Sequence, residues 1–339
     1  MKALLIAPAW VGDTVMAQPL LARLKHYQPD LQIDALAPRW VAPVLQRMPE
    51  IASTLDNPFA HGQLRLRDRW RLGRQLAEHG YEACWVLPNS LKSALLPAFA
   101  GIPKRVGFTG EARYGLLNCR HDLDKQALPL MVERFAQLAE TPGAALPRPV
   151  PFPRLQSTTE QQQATLTALQ LDRPPRLVVL SPGAEYGPAK RWPTAHFASV
   201  TRTLLDRNVS VWLLGSGKDA EIAETIRQQA GATDDPFCRN LCGVTGLDQA
   251  IDLIALADAV ICNDSGLMHV AAAVDRPIIA LYGSSSPGFT PPLSGHATIL
   301  SRGLECSPCF KRTCPLGHLH CLTELQPEEV LAALPENLQ

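Results

Sequence analysis

The chain has 339 residues, 46% hydrophobic and 19% charged, with 32 Lys/Arg matched by 32 Asp/Glu. That balance excludes a disordered or fibrous chain, no apolar run reaches the ~20 residues that cross a bilayer, and no nucleic-acid partner is expected. The length suits two domains, each able to bury its own core. The zero net charge hides an asymmetry, because residues 1–155 carry 19 Lys/Arg against 13 Asp/Glu and residues 156–339 carry 13 against 19. The halves are therefore +6 and −6, and are expected to handle different partners.

In chain order, Lys2–Ala9 is an apolar run that breaks at Gly12-Asp13 with no small-residue cleavage site after it, so it reads as a first strand and not a signal peptide. The turn Trp10-Val11-Gly12-Asp13-Thr14 follows, with helical periodicity over Thr14–Tyr27. Gly12 permits a close backbone approach. Asp13 stands where a helix dipole favours the ionised carboxylate, which suits either an N-cap or a general base. A short strand Gln32–Leu36, helical segments Trp40–Arg47 and Arg67–Glu78, a strand Ala83–Leu87 and a helix start near Ser90 continue a βαβ rhythm. Arg65, Arg67, Arg69, Arg71 and Arg74 form a basic stretch. Arg67, Arg71 and Arg74 share one helical face, with Leu66 and Trp70 on a neighbouring face and Lys92 in the next strand-to-helix turn. This is either a solvated face or a surface for an anionic substrate or lipid headgroup. The proline-rich segment Pro142–Pro153 interrupts the rhythm and marks a hinge.

Beyond it the pattern restarts: helix Thr158–Leu169, strand Leu177–Leu180, helix Pro193–Asp206, strand Val209–Leu214, helices Ala220–Gln229 and Leu247–Leu256. Between the first of these strands and its helix, the turn runs from Ser181-Pro182-Gly183 to Lys190, a point charge able to meet a phosphate. Gly215-Ser216-Gly217-Lys218-Asp219 could hold a ribose or base edge. Ala259–Gly283 is the most informative stretch. An apolar strand ends at Asn263-Asp264-Ser265-Gly266, where Ser265 can cap a helix whose N–H groups favour phosphate, and His269 one turn on would add positive charge as a cation. Near the C-terminus, Cys306, Cys309, Cys314 and Cys321, with His318 and His320 close by, allow a structural zinc knuckle, reduced thiols or a disulfide. Nine cysteines, two of them (Cys84, Cys262) in apolar strands, suggest a reducing compartment. The architecture implied is α/β: Rossmann-like doubly wound parallel-sheet domains over 1–155 and 156–325 facing a cleft, with a helical tail over 326–339.

Four motifs in this order, GDT after the first strand, SPGA followed by AKRWP, NDSGLMHVAAA, and CSPCFKRTCPLGHLHC, resemble the ADP-heptose:lipopolysaccharide heptosyltransferases of glycosyltransferase family nine, from Met1 to about Leu325. The resemblance implies a GT-B fold whose N-terminal domain receives an anionic lipid-linked acceptor, heptosyl-Kdo-lipid A, at the cytoplasmic face of the inner membrane. The C-terminal domain would hold ADP-L-glycero-D-manno-heptose. It implies Asp13 as general base and Lys190 as diphosphate and leaving-group contact. Ser181, Gly183, Lys218, Asp219, Asp264, Ser265, Gly266 and His269 would line the donor site, with Glu221 a further candidate for the nucleoside. Gly12, Thr14, Arg67, Arg71, Lys92 and Arg120 would face the acceptor. The implied reaction is an inverting single displacement with no cofactor, and no DxD-like metal motif is evident. Heptosyltransferase I, a nucleotide-sugar 2-epimerase or a non-catalytic nucleotide-sugar-binding module would share the donor turns.

Overall fold

A computed structural model describes residues 1–60 and 62–339. Among them the chain divides into two compact units, Met1–Pro153 and Arg154–Gln339. The first runs β1 (Lys2–Ile6), α1 (Val11–Met16), α2 (Gln18–Tyr27), β2 (Gln32–Ala37), α3 (Ala42–Gln46), β3 (Ile51–Asp56), α4 (Leu66–Ala77), β4 (Ala83–Val86), α5 (Leu91–Phe99), β5 (Lys104–Phe108), β6 (Cys119–His121) and α6 (Met131–Gln137). The second runs α7 (Thr159–Ala168), β7 (Leu177–Ser181), α8 (Thr194–Asp206), β8 (Ser210–Leu213), α9 (Ala220–Gln229), β9 (Cys238–Asn240), α10 (Leu247–Ala255), β10 (Ala259–Asn263), α11 (Gly266–Ala273), β11 (Ile278–Tyr282), β12 (Ala297–Ser301), α12 (His320–Thr323) and α13 (Pro327–Ala332).

The sheets have the orders β3-β2-β1-β4-β5-β6 and β12-β11-β10-β7-β8-β9, with every pairing parallel. Numbered within its own unit, each sheet follows the same doubly wound path. The chain leaves the central strand to one side and returns on the other, which places a topological switch point between β1 and β4 and another between β7 and β10. The central strands β4, β7, β10 and β11 are buried throughout, as strands covered on both faces must be, hence their continuous apolar sequences.

Two expectations change in detail. The helix expected over Thr14–Tyr27 begins earlier, at Val11, and is interrupted at Ala17. Pro19 explains the break, since it lacks an N–H and its ring crowds the carbonyl one turn back. The edge strands β3, β6, β9 and β12 carry no long apolar run and are made by pairing with a neighbour. Residues 326–339 do not stand apart as a tail. Leu325, Val330, Leu334 and Leu338 join Trp192 and Phe197 in the core of the second unit, and the Trp192 indole donates to the Leu325 carbonyl at 2.9 Å. No helix among the described residues is long and apolar enough to cross a membrane.

Candidate active site

At the β7/β10 switch point, Asn263 organises the turns. It ends β10 fully buried. Its Nδ2 donates to the Pro182 carbonyl at 2.8 Å, and its Oδ1 accepts the Trp192 N–H at 3.0 Å. Both ends of the long turn after β7 are thereby tied to β10, and Lys190 lies within that turn. The Lys190 Nζ stands 2.5 Å from Asp264 Oδ2, with the two side chains 17% and 5% exposed. Asp264 thus holds the ammonium at the entrance to α11 and is a poor direct partner for a phosphate of like charge.

Ser265 occupies the N-cap position of α11, but its side chain makes no capping bond. The first N–H groups of a helix have no intrahelical partners, so this end is left open to an anion. The Ser265 hydroxyl is buried without a partner, as are those of Ser284 and Ser285 just beyond β11. Orphaned buried hydroxyls cost free energy unless a ligand or water completes them. Ser284 and Ser285 escape a motif reading because two serines after a strand are unremarkable until the fold buries them.

His269 is 4% exposed. Burial pushes its pKa down to about 4, with Lys190 adding to the effect and Asp264 opposing it. The expected imidazolium at the helix end is therefore replaced by a neutral imidazole. Gly266 opens α11 and Ser181 closes β7, buried.

The turn after β8 is largely self-contained. Asp219 accepts the Ser216 N–H at 2.9 Å and its hydroxyl at 2.8 Å, and is 8% exposed. Its carboxyl fills the space a Cβ would need at Gly183. Lys218 is exposed and pairs with Glu185 at 2.6 Å. The donor contacts expected of Asp219 and Lys218 thus meet residues already engaged, whereas Glu221 lies exposed in the first turn of α9.

At the β1/β4 switch point of the first unit, Asp13 sits half-buried in the first turn of α1. The N-cap is Trp10, so Asp13 is not the cap. Gly12 is buried, and Thr14 is wholly so. The Thr14 hydroxyl donates to the Trp10 carbonyl at 2.9 Å. Thr14 therefore braces the turn that carries Asp13, in place of the acceptor contact expected of it. Ser90 caps α5, with Lys92 half-buried two residues on.

On α4, Arg67, Trp70, Arg71 and Arg74 are all exposed and recur at the spacing of one helical face. Trp70 is thus part of the basic face. Arg69 differs from its neighbours. It is 5% exposed and donates to the Leu64, Gln63 and Lys92 carbonyls, so it fastens α4 to the start of α5. Arg120 is exposed on β6, two strands from β4, with its guanidinium 5.3 Å from the Tyr114 ring centroid.

All nine cysteines are free. Cys306, Cys309, Cys314 and Cys321 line one cavity of about 20 Å³ with Ala189, Ser284 and His318. Backbone N–H groups, that of Leu319 foremost, hold the Cys314 thiol below its usual pKa. Among the described residues no group of three or more His, Cys, Asp or Glu is arranged to hold a metal ion. The four thiols border that one cavity, Cys321 from the core and Cys306 from an exposed position.

Two parallel sheets of doubly wound order carry a lysine at a helix N-terminus without a side-chain cap on one and a carboxylate at the switch point of the other, and comparison with known proteins assigns the chain to the glycosyltransferases. The model of glycosyltransferase family 9 (heptosyltransferase) matches residues 69–320. The chain belongs to that family. It is 45% identical to lipopolysaccharide heptosyltransferase 2 of Salmonella typhimurium over 98% of this chain and 97% of the relative. The solved structure of Escherichia coli ADP-heptose lipopolysaccharide heptosyltransferase II superimposes with a TM-score of 0.88 at 43% identity, covering 98% of this chain and 97% of that one. A family 9 glycosyltransferase from Veillonella parvula shares the fold, with a TM-score of 0.84 at 20% identity over 99% and 96% of the two chains.

Proposed function

We propose that the protein transfers L-glycero-D-manno-heptose from ADP-heptose to the first heptose of the lipopolysaccharide inner core, heptosyl-Kdo-lipid A, with inversion at the anomeric carbon. The observation that carries this reading is the Lys190–Asp264 pair at the open N-terminus of α11, beside the buried, unpartnered Ser265 hydroxyl. A cation and unpaired N–H groups there suit the diphosphate of ADP and the charge that builds on it as the glycosidic bond breaks.

In the proposed reaction the Asp13 carboxylate takes the proton of an acceptor hydroxyl. The oxygen attacks the anomeric carbon from the face opposite the leaving group, and the bond to the β-phosphate oxygen breaks. ADP leaves with its new negative charge opposite Lys190. A neutral His269 contributes a hydrogen bond and no charge. Of the donor residues, Ser265, Gly266 and Lys190 act directly, Asp264 orients Lys190, and Asp219 and Gly183 shape the wall. Glu221 is the acidic residue left to meet the nucleoside.

Arg67, Arg71 and Lys92, with Arg120 on β6, form the acceptor side, where phosphate and carboxylate groups of the inner core would balance the +6 of this half. Trp70 among Arg67, Arg71 and Arg74 has the composition of a surface that rests on anionic lipid, an aromatic for the interface and cations for headgroups. That composition supports a reading in which the enzyme works at the cytoplasmic face of the inner membrane. The test is incubation with ADP-heptose and heptosyl-Kdo-lipid A, followed by mass spectrometry. The reading requires a product heavier by one heptose that forms only with both substrates. Conversion of the donor sugar without acceptor would identify an epimerase instead.

A further inference from the structure

The loop between β12 and α12 closes against the turn that carries Lys190. The Arg312 carbonyl accepts the Ala189 N–H at 3.0 Å, the Phe310 N–H donates to the Ser284 carbonyl at 2.7 Å, and the Tyr186 hydroxyl donates to the Phe310 carbonyl at 2.7 Å. At Gly187, where φ is +155°, a Cβ would stand 2.5 Å from the Arg312 carbonyl oxygen. The two segments therefore meet backbone to backbone, and glycine is required for that approach.

This contact brings a second cation to the Lys190 side. The Lys190 Nζ lies 5.1 Å from the Tyr186 ring centroid, and the Arg312 guanidinium lies 5.4 Å from the same centroid. The two charges are thus at most the sum of those distances apart, about 10.5 Å. Lys190 already has a carboxylate at 2.5 Å. Arg312 is exposed and makes no ion pair among the described residues. Its guanidinium is steered by a ring face and stays unneutralised. The buried, unpartnered hydroxyls of Ser284 and Ser285 lie on the strand end this loop covers, a second sign that a polar ligand completes this edge.

We propose that Arg312 is a donor-binding residue, a second cation that grips the nucleoside diphosphate alongside Lys190 and is aimed by Tyr186. The inference rests on the donor reading of the Lys190 site. An Arg fork bonds phosphate oxygens bidentately, where Lys supplies only a point charge.

The test compares the full-length parent with Arg312→Ala, Arg312→Lys and Lys190→Ala, titrated with ADP and with adenosine by calorimetry, alongside thermal unfolding without ligand. Arg312→Ala is expected to weaken ADP roughly tenfold and leave adenosine affinity and the unliganded melting temperature unchanged. Arg312→Lys should recover part of the loss. A merely structural arginine would instead lower the melting temperature and weaken adenosine as well, and that pattern would overturn the proposal. So would ADP affinity within twofold of the parent in Arg312→Ala while Lys190→Ala is weakened. If both variants bind ADP like the parent, the donor reading itself fails.

Discussion

Removal of the Lys190 charge has a cost that can be worked out from its setting. In Lys190→Met the side-chain volume is nearly kept, but the Asp264 carboxylate, 5% exposed, loses the ammonium 2.5 Å away. Breaking one partner of a buried pair costs about 3–5 kcal/mol. Lys190 keeps some contact with solvent, so the lower end, about 3 kcal/mol, applies. For a unit of this size that corresponds to a melting temperature lower by roughly 6–12 °C. Asp264→Asn alone strands the lysine and is expected to destabilise by a smaller amount, because a long flexible ammonium can turn to water. The double variant Lys190→Met/Asp264→Asn leaves no stranded charge and should recover at least about 2 kcal/mol relative to the sum of the singles. Urea unfolding of the four proteins measures this cycle. Losses additive to within about 0.5 kcal/mol would mean that the pair is not coupled and that Asp264 does not hold Lys190. Both proteins lacking Lys190 should bind ADP more weakly by about 1.5–3 kcal/mol whatever their stability, which calorimetry separates from the folding effect.

Asp13→Asn keeps the shape of the proposed base without its proton affinity, so turnover should fall by about 10²–10⁴ with ADP affinity little changed; near-normal turnover would end the assignment. His269 is depressed to about 4 by burial, so the unfolded chain binds its proton first as pH falls from about 6.5 towards 4, and the stability held above that window is lost across it. NMR titration of the ring should show a neutral imidazole at pH 6, His269→Gln should flatten that acid limb, and titration near 6.5 would contradict the burial argument. Replacing Arg67, Arg71 and Lys92 together with alanine should raise the acceptor KM, spare ADP binding and blunt the salt dependence of activity. An unchanged acceptor KM at low salt would leave that basic face merely solvated.

The turns around both switch points are legible in the sequence because each follows a continuous apolar strand and carries residues with local meaning: Gly12-Asp13 after one, Asn263-Asp264-Ser265-Gly266 after another. What those residues do depends on partners far away in the chain. Asn263 reads as part of the turn, yet its amide spans to Pro182 and Trp192. Thr14 and Asp219 look like ligand contacts, but local carbonyls and a serine occupy them. The neutrality of His269 follows from packing of α11 against its sheet, which no single-residue propensity encodes. Arg69 stands within a run of exposed arginines, and the carbonyls of Gln63, Leu64 and Lys92 that it meets in the fold separate it from them.

The closing of the second core by residues 325–338 ties the firmness of the Lys190 turn to packing well away from it. Trp192 leads out of the turn bearing Lys190, and its indole is anchored to the Leu325 carbonyl in a cluster that includes Val330, Leu334 and Leu338. The turn bearing Lys190 is thus only as firm as the packing of residues 325–338 against Trp192. A substitution that opens a cavity among Val330, Leu334 and Leu338 would therefore loosen the Lys190 turn without touching it.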